Sequence, residues 1–557
     1  MMMIKHFCPS NPTICLCRTV QVFPKSIYYL STNVDSLTNE NKKQKIHSQY
    51  PLLDTKFNQY RIAYHYRRSI ELLRGYLVFR IFSIHAFVNH QDKIAYWGRR
   101  ILGDRLFKNI LKVTAFGHFV GGETPKEITP AIKRLLNYNV KPILDYSVES
   151  DDNSPLSSSS QIDLMHDHNT TKFIECIQTS HDLCGPNNLV AIKVTALIRP
   201  NVLKKFNTIL KSMKNRSSLP PLFELINQEQ TNNKIVVLFQ DSVNKNLKED
   251  QNQISSNVTF LPDDLTEIHN LLIRLNKIAE ACLKHQISIM IDAEQTYFQT
   301  AINYLATELQ RYYNKSNTPV IYGTYQCYLK DTLNSLKYDL ALAEKYNYIF
   351  AAKLVRGAYM EQENRLAREY GYESPINPSF EATSQMYHTC LDEVLNNIAK
   401  RKPEQVRIMV ASHNEDTVRY AIQEMKDYDI RHDSSIVSFA SLYGMNDYVA
   451  FALANSGYTT YKYLPYGPIE VLQPYLFRRA QENRAIFEKA GKNDYVAFAL
   501  ANSGYTTYKY LPYGPIEVLQ PYLFRRAQEN RAIFEKAGKD RRFHFKALKD
   551  RMFNSKN

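Results

Sequence analysis

The sequence predicts an α/β protein built as a distorted (β/α)8 barrel, with an N-terminal helical arm and a surplus helix-strand-helix unit near the C-terminus. Three observations support this prediction: eight short β-rich runs, amphipathic segments of helical length between them, and an exact internal repeat. Alternating strands and helices favour a parallel sheet, and a count of eight favours its closure into a barrel. An open, doubly wound sheet is the alternative.

The chain before the barrel divides into two parts. Residues 1–33 contain Lys5, Arg18 and Lys25, several Ser and Thr, and no acidic residue, which is the balance of a mitochondrial presequence. Residues 34–115 form the predicted arm, because 59–115 has helical periodicity. The mean hydropathy of −0.41 and the lack of an apolar run approaching 18 residues argue against a membrane-spanning helix.

The predicted barrel covers residues 116–492. A Ser/Asp/Asn-rich stretch at 147–161 predicts a loop, and the polar stretch at 214–262 predicts an insertion between the second and third strands. The predicted strands are 141–146, 190–196, 287–292, 320–325, 349–355, 406–412, 436–440 and 461–465.

Residues 446–492 and 493–539 are identical in every position. Each copy reads as a helix, a short strand, a Tyr-Gly-Pro turn and a second helix, so one copy completes the barrel and the other is surplus. The first copy continues directly from the seventh strand, which predicts that it closes the barrel and that the second copy lies outside it, before a tail at 540–557. The alternative is that the second copy closes the barrel and the first loops out.

The net charge of +15 and the pI near 9.1 would suit a nucleic-acid partner, but the charges are dispersed and no RNP-like or basic-heptad pattern occurs. We therefore predict no nucleic-acid binding. The sequence also lacks HExxH and any compact His/Asp/Glu cluster, so it predicts no metal site.

Polar side chains end most of the predicted strands. In a barrel these ends meet at one mouth, which suits an anionic cofactor and a small charged substrate. The residues are Lys193, Asp292 with Glu294, Gln326, Lys353 with Val355, Arg356 and Tyr359, His413, and Tyr463.

Each of these residues also has a structural interpretation. In KLVRGAY, Lys353 and Arg356 could bind phosphates and Gly357 allows a close approach, but a solvated Arg and a turn Gly would give the same pattern. His413 could be structural, and Asn414 after it could cap a helix. Asp292 and Glu294 have no second acid pair at another strand end, so glycosidase chemistry has little support.

The adjacent arginines Arg478 and Arg479 are more specific. They lie about 100° apart on a helix and can hold one carboxylate from two directions, with Glu482 supporting them at i+3 and i+4. The alternative is a solvent-facing helix with salt bridges, which the neighbouring Tyr475 and Phe477 disfavour.

Taken together, the motifs resemble those of the eukaryotic mitochondrial proline dehydrogenases over roughly residues 105–492. The order and the spacing of the motifs match as well. The motifs are GHFVGGE (117–123), ILDY (143–146), IKVTAL (192–197), DAEQTYF (292–298), TYQCYLKD (324–331), KLVRGAY (353–359), ASHNEDTV (411–418), YKYLPYGP and YLFRRAQEN.

The resemblance implies an FAD-dependent barrel enzyme that oxidises L-proline to Δ1-pyrroline-5-carboxylate, the first step of proline catabolism, and passes electrons to the respiratory quinone pool. It implies a mitochondrial matrix location with peripheral contact to the inner membrane. It assigns the proline pocket to Lys193, Asp292, Tyr463, Arg478 and Arg479. It assigns the cofactor site to Gln326, Lys353, Val355, Arg356, Gly357, Ala358, Tyr359 and His413.

Two departures from the family pattern stand out: Ser441 replaces an expected Gln, and the repeat itself is foreign to the family. A hydroxyproline dehydrogenase would share nearly all of these residues. A barrel disabled by the duplication and kept as an interaction protein is a further alternative.

Overall fold

The protein is described by a computed structural model, which covers residues 50–84, 87, 90–147, 159–213, 219–228, 260–401, 403–488 and 539–552. The predicted presequence, most of the 214–262 insertion and residues 493–538 of the second copy lie outside the described residues. The described residues from Pro51 onward belong to one unit.

Eight parallel strands close into a barrel in the order of the sequence, with β8 pairing with β1. This confirms the predicted fold class. The strands are β1 (Val140–Tyr146), β2 (Leu189–Ile192), β3 (Ser288–Ile291), β4 (Ile321–Gln326), β5 (Phe350–Val355), β6 (Val406–Ala411), β7 (Val437–Leu442) and β8 (Thr460–Tyr466).

Helices precede the barrel, surround it and follow it. The arm contains α1 (Tyr60–Tyr64), α2 (Ser69–Phe82), α3 (Gln91–Leu102) and α4 (Asp104–Leu111), and a π-helical turn (Lys112–Phe116) and a short turn (Gly117–Phe119) follow. The barrel region contains α5 (Pro125–Leu136), α6 (Ser159–Cys184), α7 (Pro200–Ser212), α8 (Leu222–Gln228), α9 (Pro262–His285), α10 (Thr296–Tyr313), α11 (Thr332–Lys345), α12 (Met360–Tyr370), α13 (Phe380–Lys400), α14 (Glu415–Asp427), α15 (Asp447–Asn455) and α16 (Ile469–Glu488). A C-terminal helix, α17, spans 539–552. None of the helices within the described ranges is long and apolar enough to cross a bilayer.

Two predicted boundaries differ from the structure by more than two residues. The second strand ends at Ile192 rather than at 196, because the chain turns at Lys193 into a 3-10 helix (Val194–Ala196). The predicted loop at 147–161 gives way to helix at Ser159. Ser and Asp favour loops only weakly and do not prevent a helix that packs on the barrel.

The core of the described residues has three clusters, two of which are those expected of a barrel. A large cluster packs the outward faces of the strands against the helices. A smaller cluster is drawn from strands alone and fills the barrel interior: Ile143, Leu189, Ala191, Met290, Met409, Ala440 and Tyr461. The third joins the arm to α16 through residues such as Phe79, Phe119 and Leu472.

The first copy of the repeat supplies α15, β8 and α16 in this structure, and β8 is paired on both edges, with β7 and β1. Lys539, the last residue of the second copy, is also described. It begins α17, and its Nζ lies 3.1 Å from both carboxylate oxygens of Glu415 at the start of α14.

The arm and the C-terminal helix pack against each other. Tyr64 donates a 2.7 Å hydrogen bond to Asp540, and its ring lies 4.5 Å from that of His544. Tyr60 stacks on Phe543. Residues from the two ends of the chain thus support one side of the barrel.

Candidate active site

The carboxyl ends of the strands bring most of the predicted site residues to one mouth. Lys193 follows β2, Asp292 follows β3 and Gln326 ends β4. Val355 ends β5, and Lys353 lies two residues before it. His413 follows β6, and Tyr463 lies in β8, where it is the one residue of that strand that is not fully buried.

Asp292 is the centre of one cluster in this mouth. Lys353 Nζ lies 2.5 Å from its Oδ1, and Tyr463 donates a 2.7 Å hydrogen bond to its Oδ2. The ammonium of Lys353 also lies 5.6 Å from the centroid of the Tyr463 ring. Burial and the neighbouring carboxylates raise the pKa of Tyr463 well above its usual value, so the phenol stays protonated and acts as a donor. Lys353, which the resemblance assigns to the cofactor, therefore contacts the residue assigned to the substrate.

Lys193 belongs to a second cluster. Its Nζ lies 4.0 Å from Oδ2 of Asp145, near the end of β1, and Ser147 donates a hydrogen bond to the same carboxylate. Burial raises the pKa of Asp145, and the charge of Lys193 opposes that effect. Sequence reasoning missed Asp145, although it lies in the ILDY motif at a strand end and that position could have marked it.

Glu294 turns away from Asp292, because β3 ends at Ile291 and the alternation of a strand no longer applies. Its carboxylate accepts hydrogen bonds from the backbone N–H and the hydroxyl of Thr195, at 3.2 Å and 2.6 Å. The two acids therefore serve different partners and do not form a pair.

Gln326 presents an acceptor at the end of β4. Its Nε2 donates to the carbonyl oxygen of Glu294 at 2.8 Å and to the hydroxyl of Tyr328 at 2.7 Å. Its Oε1 is buried and has no hydrogen-bond donor among the described residues. A buried acceptor of this kind suits a ligand that carries an N–H group.

Arg356 follows β5 and is held by hydroxyl groups. It donates to Ser384 at 3.0 Å and to Thr417 at 3.4 Å, and it lies over the ring of Phe380. Burial lowers its pKa from the usual value. No carboxylate lies within ion-pair distance of it in the described part of the chain, so its charge is available to an anion such as a phosphate.

The segment after Arg356 leads directly into α12. Gly357 packs against Met360, and a Cβ on Gly357 would overlap the Met360 sulfur. Ala358 is exposed and Tyr359 is half-buried. The glycine therefore accommodates the first turn of α12, and a flexible Met side chain is what approaches it.

His413 is a neutral acceptor. The backbone N–H of Leu442 donates to its Nε2 at 3.1 Å, which places the ring proton on Nδ1. Burial, together with the charges of Lys462 and Arg479, lowers the pKa of His413 to about 3. The next residue, Asn414, caps α14 by accepting from Asp416 N–H, as predicted.

The arginine pair lies on α16. Arg479 is 4% exposed, donates a 2.7 Å hydrogen bond to Glu482 and lies over the ring of Tyr475. Arg478 is half-buried and lies 5.9 Å from the ring centroid of Tyr359. The alternative of a solvent-facing helix is therefore wrong for Arg479. Arg478 and Arg479 carry two positive charges and Glu482 carries one negative charge, so this stretch of α16 is positively charged. A positive charge here suits an anionic substrate.

Sequence reasoning also missed Lys462 and Asp447, both wholly buried. A Lys inside an apolar strand and an Asp at a helix start look unremarkable one at a time. Their importance depends on their proximity, since Lys462 Nζ lies 2.8 Å from Asp447 Oδ1.

A closed parallel barrel with lysines, carboxylates, a tyrosine and arginines gathered at the carboxyl ends of its strands defines a class, the (β/α)8-barrel enzymes. Comparison with known proteins gives the family. The proline dehydrogenase family model matches residues 201–492 and matches a second time at 490–538, which corresponds to the second copy of the repeat. The chain belongs to the proline dehydrogenase family.

Curated relatives include mitochondrial proline dehydrogenase 1 of Drosophila melanogaster, which is 34% identical over 78% of this chain and 79% of the relative. The human protein of the same name is 32% identical over 79% of this chain and 88% of the relative. A hydroxyproline dehydrogenase of Xenopus laevis is 33% identical over 76% of this chain and 84% of the relative. Among solved structures, proline utilization A (PutA) from Bdellovibrio bacteriovorus, inactivated by N-propargylglycine, has the same fold, with a TM-score of 0.50 and 18% identity over 86% of this chain. The match spans 44% of that PutA chain.

Proposed function

We propose that this protein is an FAD-dependent dehydrogenase that oxidises L-proline to Δ1-pyrroline-5-carboxylate. The observation that carries the proposal is the pairing of Asp292 with Lys353 and Tyr463 in the mouth of the barrel. Arg478 of α16 lies beside Tyr359, which follows β5 at the same mouth. Family membership supports an activity on proline, and the mouth offers groups for each end of a small zwitterion.

The residues of the mouth fit FAD. Gln326 offers a buried acceptor, Arg356 offers a positive charge, and His413 lies at the next strand end. Lys353, Val355, Gly357, Ala358 and Tyr359 complete the proposed cofactor set. FAD, when bound, would supply the two-electron acceptor of the oxidation.

The remaining residues would orient the substrate. Arg478 and Arg479 would hold the proline carboxylate, and Tyr463 would pack over its ring. The hydrogen bond to Asp292 holds the hydroxyl of Tyr463 in place, and Lys353 pairs with the same carboxylate. Lys193, with Asp145, would complete the wall of the pocket. Because holding the carboxylate fixes the ring, orientation rather than a strong general base would be the contribution of the protein.

Oxidation of hydroxyproline is the second candidate, since relatives named hydroxyproline dehydrogenase match at an identity close to that of the proline enzymes. A barrel disabled by the duplication is the third. Adding each substrate without oxygen to the purified protein separates the three. Bleaching of a yellow chromophore by L-proline supports the proposal, and bleaching by trans-4-hydroxy-L-proline alone supports the second candidate. A folded protein that is colourless and takes up no added FAD would overturn both.

We also propose that the protein acts in the mitochondrial matrix, in peripheral contact with the inner membrane, and passes electrons to a quinone. The names of the relatives and the basic leader support the location. The surface of α3 and α4 supports the membrane contact, because each helix exposes an apolar stripe at helical spacing. The stripes are Ile94, Trp97 and Ile101 on α3, and Leu106 and Ile110 on α4 with Val113 just beyond it.

Basic residues flank these stripes, among them Arg99, Arg100 and Arg105. Cations around an exposed apolar face with a Trp suit the headgroup region of an anionic bilayer, in which such helices lie flat. Helices α3 and α4 both contact α16, because Lys108 lies 2.7 Å from Glu470 and Arg99 donates to Gln473. The proposed membrane surface is thus joined to the helix that carries Arg478 and Arg479, which would bring a lipid-soluble acceptor close to the barrel mouth.

A further inference from the structure

Lys462 is wholly buried on β8, beside Tyr463. Successive side chains of a strand point to opposite faces, so Lys462 points out of the barrel where Tyr463 points in. Its ammonium donates to Ser441 Oγ at 2.8 Å, to Leu442 O at 3.3 Å and to Met445 O. All three acceptors lie at the end of β7 or in the loop after it. One buried cation therefore fixes the path of that loop.

Asp447 balances this cation and connects it to the arm. It lies 2.8 Å from Lys462 Nζ, and it accepts 2.7 Å hydrogen bonds from Tyr66 and from Arg67 Nη2. Arg67 is 3% exposed. Burial alone would raise the pKa of Asp447, but Lys462 and Arg67 hold it far below the usual value. A carboxylate between two buried cations is strongly destabilised when either cation is removed.

The C-terminal helix completes the network. Asp540 accepts from the backbone N–H of Asn446 at 3.1 Å and from the hydroxyl of Tyr64 at 2.7 Å. The loop between β7 and α15 is thus held from β8, from the arm and from α17.

This loop begins beside the active site, at the last residue of β7. Leu442 offers its carbonyl oxygen to Lys462 and its N–H to His413 Nε2. Leu442 therefore links Lys462 to His413. Among the described residues, the N–H of Leu442 is the only donor to His413 Nε2, so a shift of Leu442 would alter that hydrogen bond.

We propose that Lys462, Asp447 and Arg67 form a positioning unit that orients His413 through Leu442, so that the N-terminal arm is part of the active site. None of the three would touch the substrate. The inference rests on the proposed function only in that His413 faces the cofactor. The coupling between the arm and Leu442 is independent of any reaction.

The chain provides matched controls. Lys509 is the counterpart of Lys462 in the second copy, with identical sequence neighbours. Arg61 lies on the same arm as Arg67 and also forms an ion pair, with Asp550, but its side chain is 74% exposed. The variants are Lys462→Met against Lys509→Met, and Arg67→Met against Arg61→Met.

The test measures hydrogen–deuterium exchange of the peptide that contains Leu442, and FAD binding to the stripped protein, both without substrate. We expect Lys462→Met and Arg67→Met each to speed exchange at Leu442 and to weaken FAD binding by about tenfold, since a buried charge loses its partner. The double variant should be no worse than the stronger single variant, because both act on one unit. Lys509→Met and Arg61→Met should change neither readout.

A purely structural role predicts a different result. If Lys462→Met and Arg67→Met lower the melting temperature but leave exchange at Leu442 and FAD binding as in the parent, the proposal is wrong. If Lys462→Met does not fold, Asp447→Asn, which removes the charge and keeps the volume, gives the same two readouts. Faster exchange at Leu442 in a protein that oxidises no proline would uphold the coupling and reject the proposed function.

Discussion

The hydroxyl of Tyr463 and the carboxylate of Asp292 are joined by a 2.7 Å hydrogen bond across the mouth of the barrel, although 171 positions separate them in the chain. The bond connects β8 to the end of β3, and Lys353 from β5 binds the other oxygen of the same carboxylate. Side chains from β5 and β8 therefore both bind the carboxylate of Asp292 at the end of β3. The position of the Tyr463 side chain depends on this carboxylate.

Removing this hydroxyl tests the role of the pair. Tyr463→Phe keeps the ring and leaves the carboxylate with Lys353 alone. We expect kcat/KM for proline to fall about tenfold, since one hydrogen bond to a partly buried carboxylate is worth about 1–3 kcal/mol. Steady-state kinetics with a soluble dye as acceptor measure the effect. Tyr510→Phe, the same change in the second copy, should leave the kinetics as they are.

The arginine pair allows a similar comparison between copies. Arg479→Met removes a buried guanidinium, and we expect a loss of about 2–4 kcal/mol in transition-state binding, because the substrate anion is left partly unpaired. Arg526→Met is the matched change in the second copy and should have no effect on kcat/KM. The reverse pattern would mean that the second copy closes the barrel in solution.

Deletion of one copy gives a single product, because removing 446–492 or 493–539 leaves the same sequence. In that product Lys492 directly precedes Asp540 and can replace Lys539 against Glu415. We expect the shorter protein to fold with a melting temperature within a few degrees of the parent, as for a change of about 1 kcal/mol.

The control for the deletion is Lys492→Ala. In the shorter protein it should lower the melting temperature, because Glu415 would lose one of the two cations that contact it, with Arg419 as the other. In the full chain it should have little effect, because Lys539 makes the contact. Equal effects in both proteins would contradict this account.

His544 makes the stability of the protein sensitive to acid. Burial and the charge of Arg67 lower its pKa from the ordinary 6.5 to about 3. Below pH 6.5 the unfolded chain therefore binds a proton that the folded protein does not, so the contribution of His544 is complete above that pH and is lost as the pH falls.

Between about pH 7.5 and about pH 5, this difference amounts to about 2 kcal/mol of unfolding free energy. Denaturant titrations at the two pH values measure this loss of unfolding free energy. In His544→Gln the loss should be smaller by about 2 kcal/mol, because Gln does not titrate but can still donate to Asp540 O. An unchanged pH dependence in the variant would show that His544 titrates normally.

Trp97 is the single tryptophan of the chain and is 54% exposed on α3, so it reports on membrane contact without any labelling. Its emission should shift to the blue with vesicles of anionic phospholipid, and the shift should shrink with salt or with neutral lipid. The double variant Ile101→Gln/Ile110→Gln should bind less. Leu164→Gln, a change at another exposed apolar residue, should bind normally. Equal binding by all three proteins would place the contact elsewhere.

Much of the fold could be predicted because its signals are local. All eight strands occur near their predicted positions, since a buried strand is a short apolar run with polar ends. Lys193, Asp292, Gln326, Lys353, His413 and Tyr463 reach one mouth because parallel strands end on the same side. The end of β2 was missed, because the turn at Lys193 depends on packing against neighbouring strands.

The partners within the site could not be predicted. Nothing in the sequence indicates that Lys353 binds Asp292 while Lys193 lies near Asp145, because the alignment of β1 with β2, and of β3 with β4 and β5, sets those distances. Arg67 and Asp447 are even harder to connect, since one belongs to the arm and the other to the last part of the barrel. A buried ion pair leaves no periodic signal.

By itself, the sequence determined the family, the order of the strands and the types of residue at the mouth, because these follow from local patterns and their spacing. Only the tertiary structure decided which cation faces which carboxylate, and that the arm reaches His413 through Asp447, Lys462 and Leu442. It also seated the first copy of the repeat in the barrel. Two identical segments have the same local preferences, so only their connections to the rest of the chain can distinguish them.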